Sequence, residues 1–80
     1  MKYFKAAQPV PGKGMAFTLY ELNDKDEVVR IETHIPETGE ITLYPKPKMK
    51  SLFQPERLDA SNAEEFNYIW ETGLEQQADK

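Results

Sequence analysis

Apolar and polar side chains alternate along three stretches of this chain. From Met15 to Leu22, Met15, Phe17 and Leu19 fall on one side and Ala16, Thr18 and Tyr20 on the other. From Glu27 to Ile35, Val29, Ile31, Thr33 and Ile35 oppose Val28, Arg30, Glu32 and His34. From Glu40 to Tyr44, Ile41 and Leu43 share a side. A period of two is that of a strand with one buried face. Lys2 to Ala7 is short and apolar-leaning and reads as an edge strand. Gln8 to Gly14 reads as a loop, because Pro9 and Pro11 lack a backbone donor and Gly12 and Gly14 interrupt regular structure.

The turns between the strands constrain the register by parity. Leu19 and Ile31 share a buried face only if the first hairpin has an odd loop. Asp24, Lys25 and Asp26 supply one, with Asn23 opposite Glu27, Leu19 opposite Ile31 and Met15 opposite Ile35. In the second hairpin, Ile35 opposite Ile41 and Thr33 opposite Leu43 leave Glu37-Thr38-Gly39 as a three-residue loop. Gly39 then takes the position of positive φ that such a loop requires. A three- to four-stranded antiparallel meander over residues 2–44 is the result.

Beyond Tyr44 the period changes. Prolines at 45 and 47 cannot serve a ladder, so residues 45–60 read as a proline- and lysine-rich connector. Ser61-Asn62-Ala63-Glu64 has the form of a capping box, with Ser61 as N-cap and Glu64 at the third helical position. Ala63, Phe66, Ile69, Trp70, Gly73 and Leu74 then recur at helical spacing. The spacing predicts a helix over 61–75, its Phe66 and Trp70 packed on Leu19, Ile31 and Leu43, and a frayed tail over 76–80. The predicted fold is α+β: an antiparallel meander with one C-terminal helix on one face, in a single domain spanning residues 1–80.

Composition narrows the chemistry. Eighty residues hold one hydrophobic core and bury only about 60% of the unfolded surface, so stability is marginal and self-association a common remedy. At 39% hydrophobic and 11% aromatic the chain is too apolar for disorder. The absence of cysteine excludes disulfides, thiolate metal sites and cysteine nucleophiles. No apolar run approaches the roughly 18 residues of a membrane span. The first five residues lack the apolar stretch of roughly 7–15 residues found in a signal peptide, so the expected location is cytoplasmic. Net charge is −4 and unevenly spread. Residues 1–50 carry eight basic and seven acidic side chains, and residues 51–80 carry two and seven. Such a balance disfavours duplex nucleic acid and suits a protein partner.

Few residues offer a reactive constellation. His34 is the only histidine, with Glu32 as its obvious acidic neighbour. That pair alone makes neither a metal site nor a convincing acid–base centre. Ser61 is better explained as a cap than as a nucleophile, and Asp24 and Asp26 as turn formers than as glycosidase acids. Pro11-Gly12-Lys13-Gly14 lacks the Lys-Ser/Thr pair and the following helix of a phosphate loop. No cofactor is implied.

Binding is better provided for. The predicted register gathers Tyr20, Arg30, Glu32, His34 and Tyr44 on the sheet face away from the helix. Tyrosine and arginine are residue types that anchor interfaces, although the same face also fits an ordinary solvated surface with one Tyr–Arg cation–π contact. Lys46, Lys48 and Lys50, at every second residue of an extended segment, form a second candidate, or a solvated linker that discourages edge pairing. Glu64, Glu65, Glu71 and Glu75 give the helix an acidic outer surface.

The element order, ending in Asn62-Ala63-Glu64-Glu65-Phe66-Asn67-Tyr68-Ile69-Trp70-Glu71, resembles that of small uncharacterised bacterial domains. Those close an antiparallel sheet with a Glu-Glu-Phe-x-x-aliphatic-Trp-Glu helix. The resemblance implies a small protein of bacterial or phage type and carries over no activity and no catalytic residue. The expected function is a non-enzymatic protein-interaction or regulatory module. A nucleic-acid binder using exposed tyrosines with Lys46, Lys48 and Lys50, and a structural homo-oligomer, stand as alternatives.

Overall fold

The computed structural model describes residues 1–48, 51–52 and 57–78. Five antiparallel strands, β1 (Lys2–Val10), β2 (Gly14–Leu22), β3 (Val28–Ile35), β4 (Glu40–Tyr44) and β5 (Asp59–Ala60), form one sheet in the order β4-β3-β2-β1-β5. A helix, α1 (Ala63–Ala78), crosses one face. The fold is α+β, with one strand more than the meander predicted.

The added strand and the longer β1 have local causes. β1 runs through Pro9 to Val10 and turns tightly at Pro11-Gly12-Lys13, where the Lys13 amide donates to the Val10 carbonyl at 3.0 Å. Pro9 is accommodated because β5 pairs only with Phe4 and Lys5, leaving this end of β1 at the sheet edge, where no ladder donor is needed. β5 returns the chain to β1, and the Ser61 amide donates to the Tyr3 carbonyl at 3.0 Å. That bond delivers the start of α1 beside Tyr3.

The helix is capped one residue later than predicted. Asn62 Oδ1 accepts from the Glu65 amide at 2.8 Å, so Asn62 is the N-cap. Ser61 Oγ instead donates to the Glu65 carboxylate at 2.5 Å. At the other end the helix continues through residues 76–78, which the sequence reading assigned to a frayed tail. Gln76 Nε2 anchors it by donating to the Gly39 carbonyl at 2.8 Å.

The predicted loop of the first hairpin is present. Asn23 Oδ1 accepts from the Lys25 and Glu27 amides, the Asn23 amide donates to the Glu27 carbonyl, and Asp26 closes the turn at φ 62°. Two steps later the register departs from the expectation. Leu22 pairs with Val28 but Glu21 pairs with Arg30, so Val29 is the extra residue of a β-bulge. From there Leu19 faces Glu32, not Ile31. The second hairpin has four loop residues, Pro36 to Gly39, with Ile35 opposite Glu40 and Gly39 at φ 76°. The two one-residue offsets cancel. Ile41 and Leu43 stay on the side of Leu19, and only β3 presents its opposite face to the helix.

The core therefore comprises Leu19, Phe66 and Ile69, flanked by Tyr3, Phe17, Ile41 and Trp70. α1 approaches β4 most closely at Gly73, where a methyl group would stand 2.7 Å from Ile41 Cγ2 and 2.9 Å from Leu43 Cδ2. In an unconstrained helix Gly73→Ala would stabilise by about 1 kcal/mol. Here overpacking of about 1–3 kcal/mol outweighs that gain, and the melting temperature is expected to fall. An unchanged or higher value would mean that α1 does not rest on β4 at this point.

Candidate functional site

Reversal of β3 divides the predicted site between two surfaces. Arg30, Glu32 and His34 lie under the helix, on the face of Leu19 and Leu43. Tyr20 and Tyr44 lie on the opposite face, in a cross-strand row that reads Phe4, Tyr20, Ile31, Tyr44. The predicted cluster of Tyr20, Arg30, Glu32, His34 and Tyr44 on one bare face is thus corrected. Lys46 and Lys48 are exposed on the connector, and Lys50 lies outside the described residues.

Arg30 finds its aromatic partners in the helix. Its guanidinium lies 4.8 Å from the ring centres of both Phe66 and Trp70, which stack on each other 5.9 Å apart. It also donates to both oxygens of Glu21, at 2.6 and 2.8 Å, and to Asn67 Oδ1 at 3.2 Å. The Tyr3 hydroxyl completes the set by donating to Glu21 at 2.9 Å. The Arg30 hydrogen bonds, offset in part by burial, hold the Glu21 carboxyl below the usual carboxylate range. Through Glu21, Phe66, Asn67 and Trp70, Arg30 ties α1 to the sheet. The sequence reading missed Glu21, Tyr3 and Asn67. The available signal was the pair of charges, Glu21 and Arg30, flanking a turn: two ionised side chains on half-buried strands need each other.

Glu32 is the opposite case. Its side chain is fully buried between Leu19 and Leu43, and neither carboxyl oxygen has a hydrogen-bond partner among the described residues. Burial pushes its pKa up to about 8, opposed by Arg30 and reinforced by Glu65 and Glu21. With no bond between Glu32 and His34, the two do not form a proton-transfer pair. His34 lines a recess of about 180 Å³ beside α1 with Lys5, Phe17, Glu65 and Ile69. There Lys5 Nζ donates to Glu65 at 3.1 Å. The Ser61 hydroxyl, together with Lys5, keeps Glu65 ionised below its ordinary range. Among the described residues no three His, Cys, Asp or Glu side chains converge as a metal site requires.

The sheet face away from α1 differs in character. Behind the Phe4–Tyr20–Ile31–Tyr44 row comes Ala6–Thr18–Thr33–Thr42. Neither row carries a charge, whereas Lys5, Glu21, Arg30, Glu32 and His34 all lie on the helix side. At the turn end of this face, Ser51 and Leu52 share a cavity of about 290 Å³ with Lys2, Phe4, Leu22 and Asp26, and Leu22 and Val28 are buried. Tyr44 remains 46% exposed. No described helix is long and apolar enough to cross a membrane. Compared with models of known protein families, with curated proteins and with solved structures, the chain matches none.

Proposed function

We propose that this protein is a small non-enzymatic interaction module whose contact surface is the charge-free centre of the sheet face turned away from α1. The observation that supports this reading is the reversal of β3. It places Arg30, Glu32 and His34 under the helix and sets Ile31 and Thr33 beside Tyr20, Tyr44, Thr18 and Thr42 in two rows on the other face. A surface with aromatic anchors and no charges at its centre suits a protein partner that offers an equally uncharged apolar patch. Occlusion of that partner, and no chemical step, is the mode of action. Nucleic acid is the weaker reading, because the face lacks a basic groove to accompany its tyrosines and the chain carries net charge −4.

The test is capture of the tagged protein's partners from host lysate after nuclease treatment, comparing wild type with Tyr20→Ala/Thr18→Lys. A protein bound stoichiometrically by wild type and lost from the double variant is the expected result, provided the variant keeps the wild-type circular dichroism spectrum. Equal capture by both would remove the face from consideration. A partner that vanishes on nuclease treatment would favour Tyr44 with Lys46 and Lys48 as a nucleic-acid contact.

A further inference from the structure

The two edges of the sheet are treated differently. At the β1 edge, β5 covers Phe4 and Lys5, and Pro9 interrupts the remainder. Covering strands and prolines are the usual devices that stop an edge from pairing with another chain. Among the described residues β4, the opposite edge, has neither. Glu40-Ile41-Thr42-Leu43-Tyr44 runs unbroken, without proline, lysine or bulge, and pairs with β3 along its whole length. A broad hollow of about 540 Å³ follows its outer side, lined by Thr38, Gly39, Glu40, Ile41, Thr42 and Gln76.

We infer that β4 is a dimerisation edge, on which two copies of this chain pair antiparallel about a two-fold axis through Thr42 to form one continuous sheet. The strand is self-complementary about that residue. With Thr42 facing itself, Ile41 faces Leu43 of the second copy on the helix side, an apolar pair in both halves. On the other side Glu40 faces Tyr44 of the second copy, and Lys46, two residues further on, comes diagonal to Glu40. In the monomer the Glu40 carboxylate accepts from Lys13 at 3.1 Å, an exposed contact. Cross-strand apolar and opposite-charge pairs are the units that stabilise such a ladder. The axis also sets the two α1 helices side by side. Gly73 already rests on Ile41 and Leu43, and its neighbour Leu74, 48% exposed, supplies apolar surface to the seam. A two-fold interface of this kind uses the same patch from both partners, and association compensates for the small core of an 80-residue chain.

Sedimentation equilibrium of the full chain across a range of concentrations is the test. Wild type is expected to show a reversible dimer. Thr42→Lys places two ammonium groups opposite each other and should weaken the dimer by roughly tenfold or more. Thr42→Val should retain it. Lys46→Glu should weaken the dimer, and adding Glu40→Lys to it should restore the affinity, which tests the register itself. Tyr20→Ala/Thr18→Lys alters the central strands only and should leave the dimer intact, so this proposal and the partner-binding face fail separately. A wild type that stays monomeric at high concentration would overturn the inference. So would a dimer that survives Thr42→Lys but dissociates on Tyr20→Ala/Thr18→Lys.

Discussion

Glu32→Gln is expected to make the domain more stable than wild type at pH 8 and equally stable near pH 4.5. In the unfolded chain the carboxyl ionises around its ordinary value of 4.5, whereas in the fold burial raises it to about 8. Between those values the folded state holds a proton that the unfolded state has released. Stability therefore falls as pH rises, by at most about 1.4 kcal/mol per pH unit for one group. The contribution is complete below pH 4.5 and gone above pH 8. Glutamine has nearly the same shape and the same lack of partners, but no charge to acquire, so its stability stays level across this window. Urea-unfolding midpoints at pH 5, 6, 7 and 8 measure the effect: the gap between variant and wild type should widen with each step. A gap that stays constant would show that Glu32 is solvated or paired in solution.

Glu21 and Glu65 act in the other direction. Arg30 lowers the first, and Ser61 with Lys5 the second. Their stabilisation is present above the ordinary carboxylate value and lost as pH falls through their depressed ones. Acid thus removes these contributions, whereas rising pH removes that of Glu32.

The position of Glu32 also marks where the sequence ceased to be legible. The positions of β2, β3 and β4, the Asp24–Asp26 turn, the positive φ of Gly39 and the helix stripe of Phe66, Ile69, Trp70 and Gly73 follow from local periodicity and turn chemistry. The face of β3 does not, because it depends on one bulge residue. Val28 and Val29 are consecutive β-branched residues that fit either side of a sheet. Alternation alone assigns Ile31, Thr33 and Ile35 to the core, since an apolar set beats Arg30, Glu32 and His34 for burial. The competing gain is tertiary: in the bulged register Arg30 reaches both Glu21 oxygens and the rings of Phe66 and Trp70. Meanwhile Ile31 and Ile35 join Phe4, Ala16, Tyr20 and Leu22 on a second apolar face. Periodicity within one strand has no access to partners on other elements. β5 was illegible for a similar reason: two residues, Asp59 and Ala60, carry no pattern, and only docking against Lys5 and Phe4 makes them a strand.

Phe66→Ala is expected to be the most damaging single substitution in the core and to exceed Trp70→Ala clearly. From the sequence the two aromatics of the helix stripe are equivalent, but the structure ranks them. Phe66 is fully buried, with Tyr3 5.5 Å away on one side and Trp70 stacked at 5.9 Å on the other, whereas Trp70 sits at the rim, partly exposed. Removing a buried phenyl ring costs about 3–5 kcal/mol through lost transfer energy and the cavity left behind. Total stability for a domain of this size is about 4–12 kcal/mol at the usual per-residue value. Phe66→Ala therefore removes a large share of that stability, and it also takes from Arg30 one of its two rings. Trp70→Ala removes a ring whose outer side is already wet, so part of the transfer term is absent and less cavity forms. Urea midpoints of the two variants, followed by circular dichroism because one lacks the tryptophan, decide the ranking. If Trp70→Ala proves the costlier change, α1 docks through its rim. The Arg30–Glu21 cluster would then outweigh the Leu19–Phe66–Ile69 core in holding the helix to the sheet.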